Sequence, residues 1–372
     1  MTINVNASIY ELQDAFWKSN GCVAVVDNDG MLLGLFGQKE NTDVTINMID
    51  KYDEGIDIID VINRKFSAIT ISKDVEKDVE KFFDETMHTY VPIISVQGEF
   101  IRFEINPRQD VRQVERKQHL HRIVEKWSAI DKDKSRFKDY KYKCNICDNE
   151  IDTNTAKELN CVCLFGGGIL TRYTCPSCGA ISGPLKMLTL SKEELDKDYM
   201  EHYSLFEEGD TTEDEINTFF RINPQKGKKY LNYGCGGTWS KSIENLREQG
   251  YTVLGYEPYA ASSDVEYIIT QPEELKGYKF DGIFSNNVLE HLYNPIEELK
   301  FMGSLLRDEN SVMAHSTGCY EYRYPYTRFH VCFPVGKSAE VMFKNAGFQQ
   351  IERSEKVLHG DKQICIIVKP IK

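Results

Sequence analysis

A chain of 372 residues with 41% hydrophobic and 28% charged residues has room for two or three domains of ordinary globular composition. Its formal charge of −13 excludes the broad basic surface on which nucleic-acid binding usually rests. It has neither an apolar run of membrane-spanning length nor a basic leader followed by an apolar stretch, so a cytoplasmic protein with no membrane or nucleic-acid partner is expected. Eleven cysteines in such a chain read as thiols and metal ligands rather than a disulfide framework, and six of them fall between Cys144 and Cys178.

Ile9–Lys18 reads as a helix, Cys22-Val23-Ala24-Val25-Val26-Asp27 as a strand, Asn28-Asp29-Gly30 as a turn, and Met31-Leu32-Leu33-Gly34-Leu35-Phe36 as the returning strand. The pattern recurs as a helix over 73–87, a strand over 90–96, a turn at Gln97-Gly98 and a return over 99–105. On Val25-Val26-Asp27-Asn28-Asp29-Gly30 and Val91-Pro92-Ile93-Ile94-Ser95-Val96-Gln97-Gly98, this α+β stretch (residues 1–107) resembles a tandem pair of cystathionine-β-synthase (CBS) domains. The resemblance implies adenosine nucleotides as ligands. The family's ribose-binding Thr-x-x-Asp reads Gly37-Gln38-Lys39-Glu40 in the first copy, however, and residues 103–107 do not match it in the second. A structural or dimerising pair is therefore expected, with an adenosine nucleotide as the alternative.

A helical linker over 108–139 follows. Val111, Val114, Leu120, Val124, Trp127 and Ile130 make an apolar stripe among Arg112, Arg116, Lys117, Arg122 and Lys126. One packed face on a solvated helix, or pairing with its mate in a homodimer, accounts for it. In residues 140–189, Cys144-Asn145-Ile146-Cys147 and Cys175-Pro176-Ser177-Cys178-Gly179 are two Cys-x-x-Cys knuckles, which together can supply the tetrahedral S4 set that zinc prefers. Too few apolar residues separate them for a core to hold the segment unaided, so a structural zinc ribbon is expected. Cys161 and Cys163 could replace a knuckle cysteine, although a Cys-x-Cys hairpin fits a tetrahedral knuckle less well.

Residues 190–220 are acidic and read as helical, with Ser191-Lys192-Glu193-Glu194 as a capped start and Tyr199, His202, Tyr203 and Phe206 either as a lid over a bound ligand or as packing against the sheet. Tyr230-Leu231-Asn232-Tyr233-Gly234-Cys235-Gly236-Gly237-Thr238 is a strand ending in a glycine-rich turn. A helix over 242–249 leads to a second strand, Tyr251-Thr252-Val253-Leu254-Gly255-Tyr256-Glu257, which ends in a carboxylate. A further strand, Phe280-Asp281-Gly282-Ile283-Phe284-Ser285-Asn286, runs into Asn287-Val288-Leu289-Glu290-His291-Leu292. Glycines let the backbone approach a ligand and aim helix N-terminal N–H groups at it, and a carboxylate at the next strand's tip can take both hydroxyls of a ribose. The turn lacks the Gly-x-Gly-x-x-Gly spacing of a dinucleotide site, because Thr238 and Trp239 follow Gly237.

Together these residues resemble the class I S-adenosylmethionine-dependent methyltransferases, in the branch with Leu-Asp-x-Gly-Cys-Gly and Val-Leu-Glu-His-Leu. The family's Asp is Asn232 here. The resemblance implies a Rossmann-like seven-stranded sheet over 190–372 with only its last strand antiparallel. It implies S-adenosylmethionine bound by Asn232, Tyr233, Gly234, Cys235, Gly236 and Gly237, ribose hydroxyls on Glu257, adenine near Gln271, and a reaction centre facing Ser285 and Asn286.

Beyond that stretch come a helix over 296–306, the strand Ser311-Val312-Met313-Ala314-His315, and an aromatic-rich insertion over 318–330. A helix over 337–346 and two last strands, 348–353 and 363–369, complete the chain. His291, His315 and His330 sit where loops should converge. Arg328-Phe329-His330-Val331-Cys332-Phe333 resembles the Glu-His-x-x-Tyr/Phe-Phe segment of sugar methyltransferases acting on nucleotide-linked deoxysugars, whose histidine serves as base and which carry an N-terminal cysteine zinc module. His330 is thus the expected base, with Phe329 in the place of the family's acid. His291 is the second candidate, a packed structural role being its alternative. The expected whole is a mixed α/β methyltransferase acting on a sugar or glycan precursor. A methyltransferase on another small molecule or protein, or a non-catalytic sensor of S-adenosylmethionine or an adenosine nucleotide, is the alternative.

Overall fold

A computed structural model of the chain describes residues 1–19, 21–37, 57–86, 88–107, 111–133, 137–203, 205, 210–260, 265–358 and 361–371. Gln38, Lys39 and Glu40 of the first ribose motif, Phe206, and residues 108–110 and 134–136 of the expected linker helix lie outside the described residues; residues 137–139 form a turn rather than helix. The chain divides into two compact units, Met1–Lys134 with Cys161–Leu170, and Ser135–Asn160 with Thr171–Lys372.

The N-terminal unit uses one βαββ motif twice. Thr2–Asn4 pairs in parallel with Val23–Val26, which pairs antiparallel with Leu32–Phe36; Ile69–Thr70, Tyr90–Ile94 and Phe100–Ile105 repeat that order. The ladders slip at equivalent places, between Val25 and Val26 and between Ile93 and Ile94. The two turns are bonded reciprocally: Phe100 N–H donates to Gly30 O at 3.0 Å and Leu32 N–H to Gly98 O at 3.1 Å. Ile9–Lys18 starts at a capping box, with the Ser8 N–H donating to Glu11 Oε2 at 2.7 Å, and it buries Leu12 and Phe16 on one face. Helix Val111–Lys132 gives Val124 and, at its edge, Leu120 to this core and fully buries Trp127. Segment 161–170 packs here too. Ile169 N–H donates to Asp131 Oδ2 at 2.8 Å, and Cys161 and Cys163 are buried in this unit, apart from the knuckle cysteines.

In the C-terminal unit seven strands form one sheet. In chain order they are β1 (Lys229–Tyr233), β2 (Thr252–Tyr256), β3 (Ile268–Ile269), β4 (Gly282–Asn286), β5 (Val312–Ser316), β6 (Phe348–Leu358) and β7 (Asp361–Pro370). Their spatial order is 3-2-1-4-5-7-6, and β7 alone runs antiparallel to its neighbours. Every residue of β4 is buried, as expected of a central parallel strand covered on both faces. The chain leaves β1 toward β3 and returns on the other side as β4, so the crevice beyond the strands' carboxyl ends opens between β1 and β4. The two-residue β3 was missed in the sequence because it is too short to show alternation.

The acidic stretch before the sheet is two helices, Lys192–Tyr203 and Thr212–Arg221. The first opens as expected, with Ser191 N–H donating to Glu194 Oε2 at 2.8 Å. The aromatic insertion folds inward: Cys319 and Tyr320 are fully buried, and Cys332–Phe333 adds a strand to Ile181–Ser182 of the cysteine module, with Ser182 opposite Cys332. No helix among the described residues is long and apolar enough to cross a membrane.

Candidate active site

The glycine turn closes the gap between β1 and β2. Gly234 N–H and Cys235 N–H both donate to Tyr256 O, at 2.8 and 3.1 Å. Gly234 has φ +77°, and a Cβ there would lie 2.5 Å from Val288 Cγ2, so only glycine lets the turn rest on the segment after β4. Glu257, at the tip of β2, accepts from Gly236 N–H at 2.9 Å and from Tyr259 N–H at 3.2 Å. Carboxylate and turn are thus one assembly before any ligand arrives. The following helix, Lys241–Glu248, is capped by Ser240, whose hydroxyl accepts from Ile243 N–H.

Asn232 is fully buried, and its amide donates to Glu215 Oε2 at 2.7 Å. Glu215 also accepts from Ser242 Oγ at 2.5 Å and Thr211 Oγ1 at 2.7 Å, and burial raises its pKa. The carboxylate that the motif normally carries at 232 therefore stands beside it, supplied by the preceding helix. Sequence reasoning passed over Glu215 because it lies 17 residues away. Of the other expected cofactor residues, Tyr233 is buried and bonded to Glu298, and Asn286 accepts from Gln363 Nε2 at 2.8 Å. Ser285 is occupied by His315 Nδ1 at 2.8 Å. Gln271 is exposed, two residues past β3.

Beyond β4, Leu289–His291 forms one short 3-10 turn. The His291 ring meets the His330 ring edge-on at 4.7 Å. His330 Nδ1 lies 2.9 Å from Tyr324 O; a carbonyl only accepts, so Nδ1 carries the hydrogen and the Nε2 lone pair is left as the basic site. Burial, then the charges of His291 and Arg172, hold the His330 pKa well below its usual value, and burial lowers His291 to about 4. Both are neutral imidazoles at pH 7.

Phe329 brings no carboxyl to this place, but Glu290 stands nearby. Ligand atoms of Glu290, Cys319 and His330 lie within 4.8 Å of one another. Glu290 Oε1 accepts from Thr317 Oγ1 at 2.6 Å, and Glu290 O accepts from Val331 N–H at 2.8 Å, tying the two segments together. His315 is elsewhere: fully buried, stacked on Phe343, and bonded to Ser285.

Helix Lys192–Tyr203 spans the two parts of the site. Tyr199 packs on Tyr259, two residues past Glu257, with the rings tilted by 32° and centroids 4.8 Å apart, and touches Phe329 edge-on at 5.3 Å. Asp198 and Arg328 form an ion pair at 2.6 Å with both side chains fully buried. Breaking such a pair costs on the order of 3–5 kcal/mol, so this helix is fixed in place rather than free to swing.

The two knuckles of the cysteine module are near-copies. Cys144 N–H donates to Asn149 O and Cys175 N–H to Ala180 O, while Asp148 and Gly179 take equivalent positive-φ positions. Their sulfurs converge, with Cys144 Sγ 3.7 Å from Cys178 Sγ and Cys147 Sγ 3.6 Å from Cys175 Sγ. Four sulfurs at ~2.3 Å from a tetrahedral zinc would be ~3.8 Å apart, so the residues present fit that ion.

Residues 207–353 match the family described as a methyltransferase domain. A curated relative, the mitochondrial ubiquinone biosynthesis O-methyltransferase of Arabidopsis thaliana, is 33% identical over 98 residues, covering 22% of this chain; the chain spans only 30% of that relative. Among solved structures, the chain is similar to Burkholderia thailandensis 1,6-didemethyltoxoflavin-N1-methyltransferase with bound 1,6-didemethyltoxoflavin and S-adenosylhomocysteine. The identity is 12% and the TM-score 0.39, over 55% of this chain and 96% of that one. It is also similar to CBSX2 in complex with AMP, at 15% identity and TM-score 0.24, over 31% of this chain and 84% of that one.

Proposed function

We propose, from the methyltransferase domain that residues 207–353 form, that this chain methylates a sugar or glycan precursor using S-adenosylmethionine. The observation that carries the reading is the bond from Gly236 N–H to Glu257 Oε2, which joins the glycine turn and the ribose-holding carboxylate in one crevice. The cofactor supplies a sulfonium-activated methyl when bound. Gly234, Cys235, Gly236 and Gly237 offer backbone to it, Glu257 its carboxylate, and Glu215 a second carboxyl group behind Asn232. His330 takes the acceptor's proton at Nε2, and the imidazolium so formed keeps its Nδ1–H on Tyr324 O. The sugar class rests on the resemblance around His330.

The test is calorimetry with S-adenosylmethionine and S-adenosylhomocysteine, followed by transfer of labelled methyl to a panel of nucleotide-linked deoxysugars. Micromolar binding, on the order of −8 kcal/mol, is expected. Glu257→Ala should weaken it by at least about tenfold, since a charged hydrogen-bond acceptor is worth ~1.5–3 kcal/mol. Wild-type affinity in that variant would remove the site.

Cys144, Cys147, Cys175 and Cys178 would hold one structural zinc, whose four sulfur ligands leave no open position for chemistry. In the N-terminal unit, a cavity of about 530 Å3 lined by Tyr90, Phe100, Arg102 and Phe103 favours a second reading, an adenosine-nucleotide site. Aromatic faces and a guanidinium suit a base and a phosphate. Titration with AMP should perturb the Tyr90 ring resonances in NMR spectra. Unchanged spectra at millimolar AMP would leave the pair a purely structural one.

A further inference from the structure

Arg172 lies in strand Ile169–Thr174 of the cysteine module, three residues before the second knuckle, and is fully buried. Buried guanidinium groups usually face a carboxylate; among the described residues this one pairs with none, and it is not used by the proposed chemistry. Its donors go instead to four backbone carbonyls. Nη1 donates to Pro325 O at 2.8 Å, and Nη2 to Thr327 O at 2.8 Å and His330 O at 3.0 Å. Nε is shared between Gly183 O and His330 O, both at 3.2 Å. Three of the four carbonyls belong to the segment that delivers His330. The fourth, Gly183, is itself joined to that segment, because its N–H donates to Val331 O at 3.1 Å.

We propose that Arg172 is the positioning residue of His330: its planar fork fixes residues 325–330 so that Nδ1–H stays on Tyr324 O and Nε2 stays open. This assignment rests on the reading of His330 as the base. Several features make the fork the effective agent. Segment 325–330 has no helix or strand of its own to hold it. Its carbonyls, buried around Arg172, would lose these donors without it, and a buried acceptor left unpaired is costly. A rigid guanidinium binds several acceptors in one geometry, where a lysine would offer a mobile point charge. The same positive charge opposes protonation of His330, acting alongside His291. Of the other groups facing the ring, Cys319 lies 3.5 Å from Nδ1, the bond to Tyr324 O favours the protonated ring, and a Glu290 carboxylate oxygen lies within 4.8 Å of a ring nitrogen.

The variants Arg172→Met and Arg172→Lys separate charge from geometry, and the readout is the His330 side chain by 15N-resolved NMR across pH, with no cofactor or acceptor. The wild type should show the Nδ1–H tautomer, neutral to well below the ~6.5 of free imidazole. Arg172→Lys keeps the charge but loses the fork, so mixed tautomers with a still-depressed titration are expected. Arg172→Met loses both, and its His330 titration should move toward ~6.5. In each folded variant S-adenosylhomocysteine affinity should stay within about threefold, under ~0.7 kcal/mol, because Glu257 and the glycine turn are untouched. If Arg172→Met does not fold, Arg172→Lys alone decides. Wild-type tautomer and titration in a folded variant would overturn the proposal, and so would a wild-type His330 protonated only at Nε2. A wild type that binds no S-adenosylhomocysteine would instead remove the methyltransferase reading and leave the NMR result standing.

Discussion

His330→Ala is expected to lower turnover by about two to four orders of magnitude, the usual range for removing a general base, while S-adenosylhomocysteine affinity stays near wild type. The measurement is single-turnover methyl transfer to the deoxysugar that the acceptor panel identifies. His330 has its Nδ1 hydrogen fixed on Tyr324 O and stands beside Glu290, whereas His315 is locked between Ser285 and Phe343. His315→Ala should therefore lower stability before it touches the chemical step. An ordinary histidine base would lose rate below pH ~6.5. Because the His330 pKa is held well below that value, the acid limb of the rate profile should lie lower still. A folded His330→Ala enzyme within a few-fold of wild type would place the base elsewhere.

Acid stability should behave differently from rate. His202 and His315 are lowered to about 3 and His291 to about 4, each by burial first, and His330 is lowered as well. Below pH ~6.5 the unfolded chain binds protons at these positions that the folded chain refuses, so stability is full above that pH and falls as pH drops beneath it.

Cys178→Ser, or chelation of the native protein, carries the second large effect. Either should release one zinc per chain and unfold the cysteine module, because binding free energies of ~10–16 kcal/mol for structural zinc exceed anything its small core supplies. Elemental analysis before and after, with thermal unfolding alongside, checks this. Freshly isolated protein without zinc would dismiss the ion. A module that stays folded after losing the metal would show that its packing against Leu185 and the Cys332–Phe333 strand is enough.

The features legible in the sequence are those written in consecutive residues. Gly234 to Gly237 read as a ligand turn because φ +77° at Gly234 is a local need that only glycine meets cheaply. The knuckles and the hairpin turns at Gly30 and Gly98 are equally local. What stayed hidden is carried between distant segments. Nothing near Phe329 marks Glu290 as a neighbour of His330, and nothing near Asn232 marks Glu215. Arg172 did leave a trace: alternation along Ile169–Thr174 puts it on the same buried face as Leu170, and a charge there demands a partner. The spacing of Cys161 and Cys163 suggested ligands, but their segment belongs to the N-terminal unit.

The grip of Arg172 on carbonyls 153 to 158 residues further along also constrains how the chain is made. At ~5–20 residues per second, a ribosome delivers those acceptors roughly 8–30 s after the arginine itself. During that interval Gly183 O is the one of its four acceptors already made, while both knuckles emerge and can take up metal. Nascent chains halted just before residue 320 should hold zinc yet leave most of this arginine's donors solvated, so the loop bearing His330 sets only after the module that grips it.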